Sequence, residues 1–544
     1  MEHYLKRFER TIRGNWDTLA IQDFQGEKFT FGQLAERVEK YHVMLDALGI
    51  KKGDHIALCA KNFARWGISF LAVNTYEAVV VPILYDFNPQ AINSLVDHSE
   101  AVVLITDNDL WPKLDVAQMP RLKAVITIND FAAVWTADDT IKEICASTDA
   151  LYAKKHPQGM KPEDVVFPDN NDGDLAVINY TSGTTSAPKG VMIRYESISS
   201  NFEFAQRRLP CWPGDTIVSM LPMAHMYGLM FEFIYPVCCG VTVSYLGKTP
   251  SPSLLLKAFA EVKPYIIITV PLVFEKIFKS KVLPTVSKPA MKVLLKVPGI
   301  SNILCGVIRK KLLDAFGGKI RALVMGGAAL NPEVEYWFKR FKMPFTVGYG
   351  MTEGAPLFAY ESPEDFVPKS CGKVVTRVEA RIDSPDPQNV VGEIQMKGVN
   401  VMSGYYKNPE ATAAAFTEDG WLRTGDLGLI DKDGNIFIKG RSKAMILSSN
   451  GQNIYPEEIE AFVNNQPYVI ESVVVGRKNG LVALVYLDKA SIEKDGVDLN
   501  AHLNNCMHAL NKQMPVYSKI TKMEVVDEPF AKTPKMSIKR FLYN

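Results

Sequence analysis

The chain has 544 residues, of which 47% are hydrophobic and 22% are charged, and its formal net charge is +1. This length exceeds a single compact core, so at least two domains are expected. A charge balance this close to neutral argues against a general nucleic-acid binder, which needs a strong excess of basic residues.

The first residues and the cysteines bear on the compartment in which the protein works. The opening Met-Glu-His-Tyr-Leu-Lys-Arg lacks the apolar core of a signal peptide, which predicts a cytoplasmic protein. The cysteines lack the paired spacing of a metal site, so buried thiols in a reducing compartment are expected. They are Cys59, Cys145, Cys211, Cys238, Cys239, Cys305, Cys371 and Cys506.

Strand-like and helix-like segments alternate between residues 29 and 125. Apolar residues at helical spacing predict a helix over 32–48, and short apolar runs predict strands at 55–59, 79–84 and 101–105. Such alternation is typical of parallel α/β units. We therefore expect an α/β fold, with further strands at 265–270 and 320–325.

A loop rich in hydroxyls and glycines occupies residues 180–192, which read Tyr-Thr-Ser-Gly-Thr-Thr-Ser-Ala-Pro-Lys-Gly-Val-Met between two predicted strands. Its backbone amides, its hydroxyls and Lys189 are groups that hold a polyphosphate. Lys189 precedes Gly190 and a strand follows, so the loop differs from Gly-x4-Gly-Lys-[Ser/Thr] running into a helix. Clusters of this composition are more often ordinary surface turns.

The most apolar region of the chain, residues 217–246, is interrupted by polar residues and helix breakers. These are Pro222, His225, Glu232, Pro236 and Gly240. The interruptions favour core strands and a helix over a membrane span.

A basic segment follows at residues 276–311, and it contains no acidic residue. Its cations are Lys276, Lys279, Lys281, Lys288, Lys292, Lys296, Arg309, Lys310 and Lys311. A solvated basic face is the usual explanation of such a run. Because apolar residues are interleaved with the cations at 293–295 and 303–304, peripheral contact with an anionic membrane is the alternative.

Two predicted strands then end in glycines, at residues 323–330 and 345–353. Gly326 and Gly327 in the first segment would let backbone approach a flat ligand, although a tight turn is the alternative. The second segment ends in an aromatic, a hydroxyl and the carboxylate of Glu353.

The pattern of predicted elements changes near residues 431–435, where a turn is predicted. About a hundred residues remain beyond it, with predicted helices at 456–464 and 499–514 and predicted strands at 470–475 and 481–486. These elements suffice for a small α+β domain. We therefore predict two domains, 1–442 and 443–544.

These segments, in this order, resemble the adenylate-forming superfamily, which includes acyl-CoA synthetases, peptide-synthetase adenylation domains and firefly luciferase. The motifs that carry the resemblance are Thr-Ser-Gly-Thr-Thr-x-x-Pro-Lys-Gly from Thr181, the glycine-ended strands, Gly-Trp-Leu-Arg-Thr-Gly-Asp from Gly420, Gly-Arg-Ser-Lys from Gly440, and residues 449–460. The chain is most similar to bacterial long-chain fatty acyl-CoA ligases. The resemblance implies a large N-terminal domain of α/β subdomains joined by a hinge to a small α+β domain.

The resemblance also implies which residues hold ATP. Lys189 and Thr184 would act on the phosphates, Glu353 would bind Mg²⁺ and Asp426 would bind the ribose. The complete expected ATP/AMP set is Thr181, Ser182, Gly183, Thr184, Thr185, Lys189, Gly326, Gly327, Ala328, Tyr349, Gly350, Met351, Thr352, Asp426 and Arg441.

The remaining implied roles concern the acid, the thiol and the hinge. Lys443 falls at the hinge position and Gly451 at the coenzyme A tunnel, while the acyl pocket would contain His225, Met226, Tyr227 and Gly228. A lone histidine in an apolar stretch is more often a core residue. Amino-acid-activating relatives carry an aspartate near this pocket, whereas this chain has Met-Phe-Glu-Phe from Met230, which favours an uncharged apolar acid. The basic segment at 276–311 and the closing Lys-Arg-Phe-Leu from Lys539 resemble those of bacterial long-chain fatty acyl-CoA ligases, so we hypothesise a medium- or long-chain fatty acid.

The implied reaction has two steps and uses ATP, Mg²⁺ and coenzyme A. A carboxylate first attacks ATP to give acyl-AMP and pyrophosphate, and the coenzyme A thiol then displaces AMP to give acyl-CoA. Rotation of the small domain would let one pocket serve both steps.

One position departs from the family pattern. The family ends with Thr-Pro, two residues and a lysine that bridges carboxylate and phosphates, whereas this chain has Ser537 at the place of the lysine. We expect impaired adenylation and a retained thioester step. Two alternatives stay open, namely an acyl-AMP ligase serving a carrier protein and a catalytically weak nucleotide- or acyl-binding protein.

Overall fold

The structure is a computed structural model that describes residues 1–181, 188–447, 453–477, 480–512, 514–515, 518–532 and 538–543. Within these residues, no helix is both long enough and apolar enough to cross a membrane.

The first large sheet has seven strands in the order β14-β13-β12-β10-β11-β1-β2. Neighbouring strands are parallel except for the edge strand β2. The interior strand β12 is buried at every position and carries three consecutive isoleucines, as expected of a parallel strand covered on both faces. The strands are β1 (Leu19–Asp23), β2 (Lys28–Thr30), β10 (Thr216–Ser219), β11 (Thr242–Tyr245), β12 (Ile266–Thr269), β13 (Ala322–Met325) and β14 (Phe345–Val347).

The second large sheet also has seven strands, in the order β7-β6-β5-β3-β4-β8-β9. Its interior pairs are parallel, and β7 and β9 are antiparallel edges. The strands are β3 (His55–Cys59), β4 (Val79–Pro82), β5 (Val103–Thr106), β6 (Ala124–Thr127), β7 (Ala133–Thr136), β8 (Leu175–Thr181) and β9 (Lys189–Arg194). The strands predicted on both sides of the Thr181–Gly190 loop are therefore confirmed as the antiparallel pair β8–β9.

Two small antiparallel sheets follow in the chain. The first contains β15 (Tyr349–Gly350), β16 (Leu357–Tyr360) and β17 (Lys373–Val374), and the second contains β18 (Val378–Asp383), β19 (Gly392–Gly398), β20 (Leu422–Ile430) and β21 (Ile436–Arg441). In the second sheet, β20 and β21 pair so that Asp426 lies opposite Arg441.

Helices surround the two large sheets. Local capping explains several of their starts, because Thr30 and Gln33 form a capping box at α2 and Asn88 caps α4 ahead of Pro89. The helices within residues 1–442 are α1 (Tyr4–Gly14), α2 (Phe31–Ala47), α3 (Ala64–Thr75), α4 (Pro89–His98), α5 (Asp139–Ala146), α6 (Thr148–Lys155), α7 (Tyr195–Arg208), α8 (Met226–Gly228), α9 (Tyr235–Cys238), α10 (Pro252–Val262), α11 (Pro271–Ile277), α12 (Leu283–Val286), α13 (Pro289–Leu294), α14 (Ile300–Ala315), α15 (Pro332–Arg340) and α16 (Pro409–Ala415).

The last hundred residues form a smaller α+β unit with a hydrophobic core of its own. This core contains Ile459, Val474, Val485 and Leu510, whereas the main core ends at Ile436. The elements are β22 (Ile446–Leu447), β23 (Asn453–Ile454), α17 (Pro456–Val463), β24 (Val469–Arg477), β25 (Gly480–Leu487), α18 (Lys489–Asp495), α19 (Leu499–Asn511) and β26 (Ile520–Val526). A large α/β domain with a smaller C-terminal domain is thus confirmed.

The sequence did not predict two features of this architecture. Strand β26 pairs parallel with β25 and completes a three-stranded sheet. In the apolar region, residues Leu229–Ile234 form a π-helical turn between α8 and α9. The cysteines agree with expectation in that none forms a disulfide and all are buried or half-buried.

Candidate active site

Two predicted nucleotide residues, Tyr349 and Arg441, contact the carboxylate of a third, Asp426, and Asp426 is 4% exposed. The Tyr349 hydroxyl donates to Asp426 Oδ2 at 2.7 Å, and Arg441 Nε lies 2.7 Å from Asp426 Oδ1. Burial raises the pKa of Asp426, and the positive charge of Arg441 acts in the opposite direction. The arginine therefore helps to keep a buried carboxylate ionised beside the tyrosine.

The second glycine-ended segment reaches this carboxylate through Tyr349, and one of its glycines is sterically required. At Gly350, a Cβ atom would lie 1.8 Å from the Pro356 carbonyl oxygen, so any side chain would collide with backbone. Gly327 adopts φ of 82°, a left-handed conformation that favours glycine, and Ala328 beside it is exposed.

The acyl segment contacts the first of these glycine segments directly. A Cβ atom on Gly326 would lie 3.0 Å from the Tyr227 ring. The Tyr227 hydroxyl lies 3.4 Å from the carbonyl oxygens of both Thr269 and Val324. The structure thus brings the predicted acyl and adenine segments together at the carboxyl ends of β12 and β13, where ligands bind in open α/β sheets.

The acyl segment itself is held by buried polar side chains. Asn179 on β8 donates to the Ala224 carbonyl at 2.8 Å, next to His225. Glu232, in the π-helical turn, is fully buried, and its Oε2 accepts hydrogen bonds from Ser219 Oγ and from the Met220 and Leu221 amides. Burial raises the pKa of Glu232 well above its ordinary value. The Glu232 carboxyl group is therefore hydrogen-bonded to the backbone amides of Met220 and Leu221.

On the phosphate side, Lys189 and Glu353 share a contact residue that the sequence did not single out. The Tyr405 hydroxyl donates to Glu353 Oε1 at 2.9 Å, and Lys189 Nζ lies 4.8 Å from the centre of the Tyr405 ring. Burial and the neighbouring Glu353 raise the pKa of Tyr405, so its hydroxyl is protonated and acts as a donor at neutral pH. Only the Gly-Tyr-Tyr run at 404–406 could have drawn attention to it.

The remaining predicted residues lie partly outside the described ranges. Thr181 pairs with Lys189 across the β8–β9 ladder, and Met351 and Thr352 are half-buried beside Glu353. Lys443 is exposed in a short 3₁₀ turn after β21. The predictions for Ser182, Gly183, Thr184, Thr185, Gly451 and Ser537 fall on residues that the structure does not describe.

Comparison with known proteins identifies the family to which this site belongs. A profile described as AMP-binding enzyme matches residues 8–406, and one described as AMP-binding enzyme C-terminal domain matches residues 443–543. The chain belongs to the AMP-binding enzyme family. It is an adenylate-forming acid–CoA ligase that uses ATP, Mg²⁺ and coenzyme A, as the sequence predicted.

Individual relatives are similar over most of this chain. Long-chain-fatty-acid–CoA ligase 4 of Saccharomyces cerevisiae is 30% identical over 79% of this chain and 68% of its own length. Long-chain-fatty-acid–CoA ligase FadD15 of Mycobacterium bovis is 26% identical over 98% of this chain and 91% of its own. The ATP-bound crystal structure of MatB from Rhodopseudomonas palustris matches with a TM-score of 0.78, covering 100% and 98% of the two chains at 24% identity, which supports the fold alone.

Proposed function

We propose that the protein is an ATP-dependent ligase that joins a medium- or long-chain fatty acid to coenzyme A. The observation that carries the substrate class is the apolar acyl segment, in which the only acid, Glu232, is buried and bonded to backbone. Burial favours the uncharged form of this acid, so it supplies little counter-charge for a charged substrate group. The long-chain fatty acid ligases among the relatives support the same class.

In the first step, formation of acyl-AMP, the protein acts by positioning the reactants and by stabilising charge, because this chemistry requires little covalent help from the protein. Lys189, Thr184 and the other hydroxyls of the Thr181–Gly190 loop hold the outer phosphates. Asp426 accepts hydrogen bonds from the ribose hydroxyls, with Arg441 preserving its charge. Tyr349, Gly326, Gly327 and Ala328 form the adenine surface together with Gly350, Met351 and Thr352.

Glu353 fits the expected role of magnesium ligand. Glu353 is 8% exposed, and one carboxylate oxygen accepts a hydrogen bond from the Tyr405 hydroxyl, while its other oxygen receives no hydrogen bond from a described residue. Among the described residues, no group of three or more histidine, cysteine or acidic side chains could hold a metal. Mg²⁺ commonly takes one or two carboxylates, with phosphate oxygens and water completing its shell. When bound, it neutralises phosphate charge.

For the second step, we propose that domain 443–544 turns against domain 1–442 about Lys443 and presents Gly451 to the coenzyme A tunnel. Polar contacts hold the orientation seen here, because Lys279 Nζ donates to the Asn464 carbonyl at 2.9 Å and Lys439 pairs with Glu458 at 3.1 Å. Exposed contacts of this kind contribute little stability, so they are compatible with rotation. A cytoplasmic location stays a prediction of the sequence.

The substrate class can be tested by pyrophosphate release with saturated acids from acetate to palmitate. We expect turnover to rise steeply beyond the short acids, since each buried methylene contributes about 0.8 kcal/mol. Equal kcat/KM for acetate and palmitate would refute the fatty acid proposal, and preference for an aromatic acid would assign the enzyme to another branch. Free coenzyme A compared with a phosphopantetheine carrier distinguishes this ligase from an acyl-AMP ligase.

We also propose that residues 276–311 rest on an anionic membrane surface, where long-chain acids partition. Of the eighteen large apolar side chains exposed on the described part of the chain, six lie between Val293 and Val307: Val293, Leu294, Val297, Ile300, Ile303 and Val307. In α14, Ile300, Ile303 and Val307 recur at helical spacing on one side, and Cys305 and Leu312 are buried on another. This pattern is typical of an interfacial helix.

The charges of the same segment match an anionic partner. None of its nine cations takes part in an ion pair within the described residues, and the chain as a whole is nearly neutral, so the positive charge is concentrated here. Arg340 fixes the segment to α15 by hydrogen bonds to the Leu295 carbonyl and to Ser301 Oγ. Tyr336, which Arg340 also contacts, is 55% exposed, as suits a membrane interface.

Replacing Arg309, Lys310 and Lys311 together by glutamine should weaken binding to vesicles containing phosphatidylglycerol about a hundredfold, since each cation contributes about 1 kcal/mol. Co-sedimentation measures the effect. Ile303→Ser with Val307→Ser should also release the protein, whereas the control pair Val166→Ser with Val390→Ser, exposed elsewhere, should not. Equal binding of all variants, or no preference for anionic over neutral vesicles, would contradict the proposal.

A further inference from the structure

Tyr405 lies between the two groups on the phosphate side of the site and contacts both. Its hydroxyl donates to Glu353 Oε1 at 2.9 Å, and its ring lies 4.8 Å from Lys189 Nζ. A tyrosine can serve both neighbours because its hydroxyl donates a hydrogen bond and its ring face attracts a cation.

The backbone around Tyr405 is fixed to the elements that carry both neighbours. The Met402 amide donates to the Glu353 carbonyl at 2.9 Å, and the Tyr406 amide donates to the Gly190 carbonyl at 2.7 Å. The Met192 amide donates to the Gly404 carbonyl, and the Ser403 amide donates to the Met192 carbonyl, so β9 is also bonded to residues 403 and 404. The backbone that carries Tyr405 is therefore bonded both to β9 and to the turn at Glu353.

A glycine next to Tyr405 permits this close arrangement. Gly404 has φ of 136°, and a Cβ atom there would lie 2.7 Å from Thr412 Cγ2. The Thr412 hydroxyl in turn accepts a hydrogen bond from the Tyr405 amide at 2.9 Å. Helix α16 thus holds the backbone of Tyr405 through Thr412.

We infer that Tyr405 is a positioning residue that sets the Glu353 carboxylate for Mg²⁺ and the Lys189 ammonium for the phosphates. This inference rests on the roles proposed above for Glu353 and Lys189. Partners that orient a metal-ligating carboxylate commonly affect metal affinity about 10–100-fold. The two contacts are separable, since phenylalanine retains the ring beneath Lys189 and removes only the bond to Glu353.

ATP binding by calorimetry, with Mg²⁺ or with EDTA, tests the inference without turnover. Tyr405→Phe should raise the Mg²⁺ concentration needed to tighten ATP binding by about tenfold and leave affinity in EDTA unchanged. Tyr405→Leu should weaken binding in EDTA as well. The neighbouring Tyr406 provides a matched control, because its hydroxyl donates to Glu100 Oε2 at 2.7 Å away from this site. Tyr406→Phe should alter neither quantity.

The outcomes distinguish this inference from the proposal beneath it. If Glu353→Gln leaves the Mg²⁺ requirement unchanged, the proposed magnesium role of Glu353 is wrong and the inference fails with it. If Glu353→Gln raises the requirement but Tyr405→Phe behaves like Tyr406→Phe, only the inference is overturned. Equal weakening of Tyr405→Phe with and without Mg²⁺ would indicate general damage and would also overturn it.

Discussion

Replacing Ser537 by lysine is expected to raise the rate of acyl-adenylate formation about a hundredfold. A hydroxyl cannot supply the cationic bridge between carboxylate and phosphates that the family pattern places at this position, and small misplacements of a catalytic group lose about this much in rate. ATP–pyrophosphate exchange measures the adenylation half-reaction. Formation of acyl-CoA from a supplied acyl-adenylate should be unchanged, since that step does not use the bridge.

The adjacent lysines decide how this result is interpreted. Lys535 and Lys539 lie two positions on each side of Ser537, and a shifted register would let one of them substitute. If Ser537→Lys gives no increase while Lys535→Ala or Lys539→Ala abolishes exchange, a neighbouring lysine already serves. If the wild-type chain binds ATP but exchanges pyrophosphate with no acid, and Ser537→Lys does not restore exchange, a catalytically weak binding protein is favoured instead.

Replacing Asp426 by alanine is expected to weaken ATP binding about a hundredfold. The ribose would lose two hydrogen bonds to a carboxylate, each contributing about 1.5 kcal/mol or more. The change also leaves the buried Tyr349 hydroxyl without its acceptor and Arg441 without its partner. Calorimetry with ATP measures the loss directly.

A second carboxylate–arginine pair controls for loss of charge alone. Asp419, in the turn before β20, accepts hydrogen bonds from Arg381 of β18 at 2.6 and 3.0 Å in a solvent-exposed position. Asp419→Ala should bind ATP like the wild type. Asp426→Asn, which preserves the shape of the side chain, should lose most of the affinity while retaining the fold. Unchanged ATP affinity in both Asp426 variants would refute the ribose role.

Local sequence determined the parts of the site that a few consecutive residues encode. The Thr181–Gly190 loop was predicted between two strands because apolar runs flank it, and β8 and β9 confirm those strands. The glycine-ended strands were predicted for the same reason, and Gly350 has no room for a side chain. The α/β class and the small C-terminal domain also follow from the order of apolar periodicities.

The sequence did not predict how these parts meet. Tyr349 and Asp426 are 77 positions apart, and Glu353 and Tyr405 are 52 apart, yet each pair shares one hydrogen bond. The π-helical turn that buries Glu232 was also missed, because its residues alone do not distinguish it from an ordinary helix. Resemblance to a family suggested roles for single residues but did not give their contacts.

The sequence by itself determined the family, the order of the motifs and the basic character of residues 276–311, since each depends on residue identity along the chain. Tertiary structure alone decided that Tyr405 contacts both Lys189 and Glu353. It also decided that Tyr349 and Arg441 both contact the Asp426 carboxylate, and that Ile303 and Val307 are exposed. Such contacts depend on how separate sheets and helices pack, and periodicity along one segment carries no information about the segment packed against it.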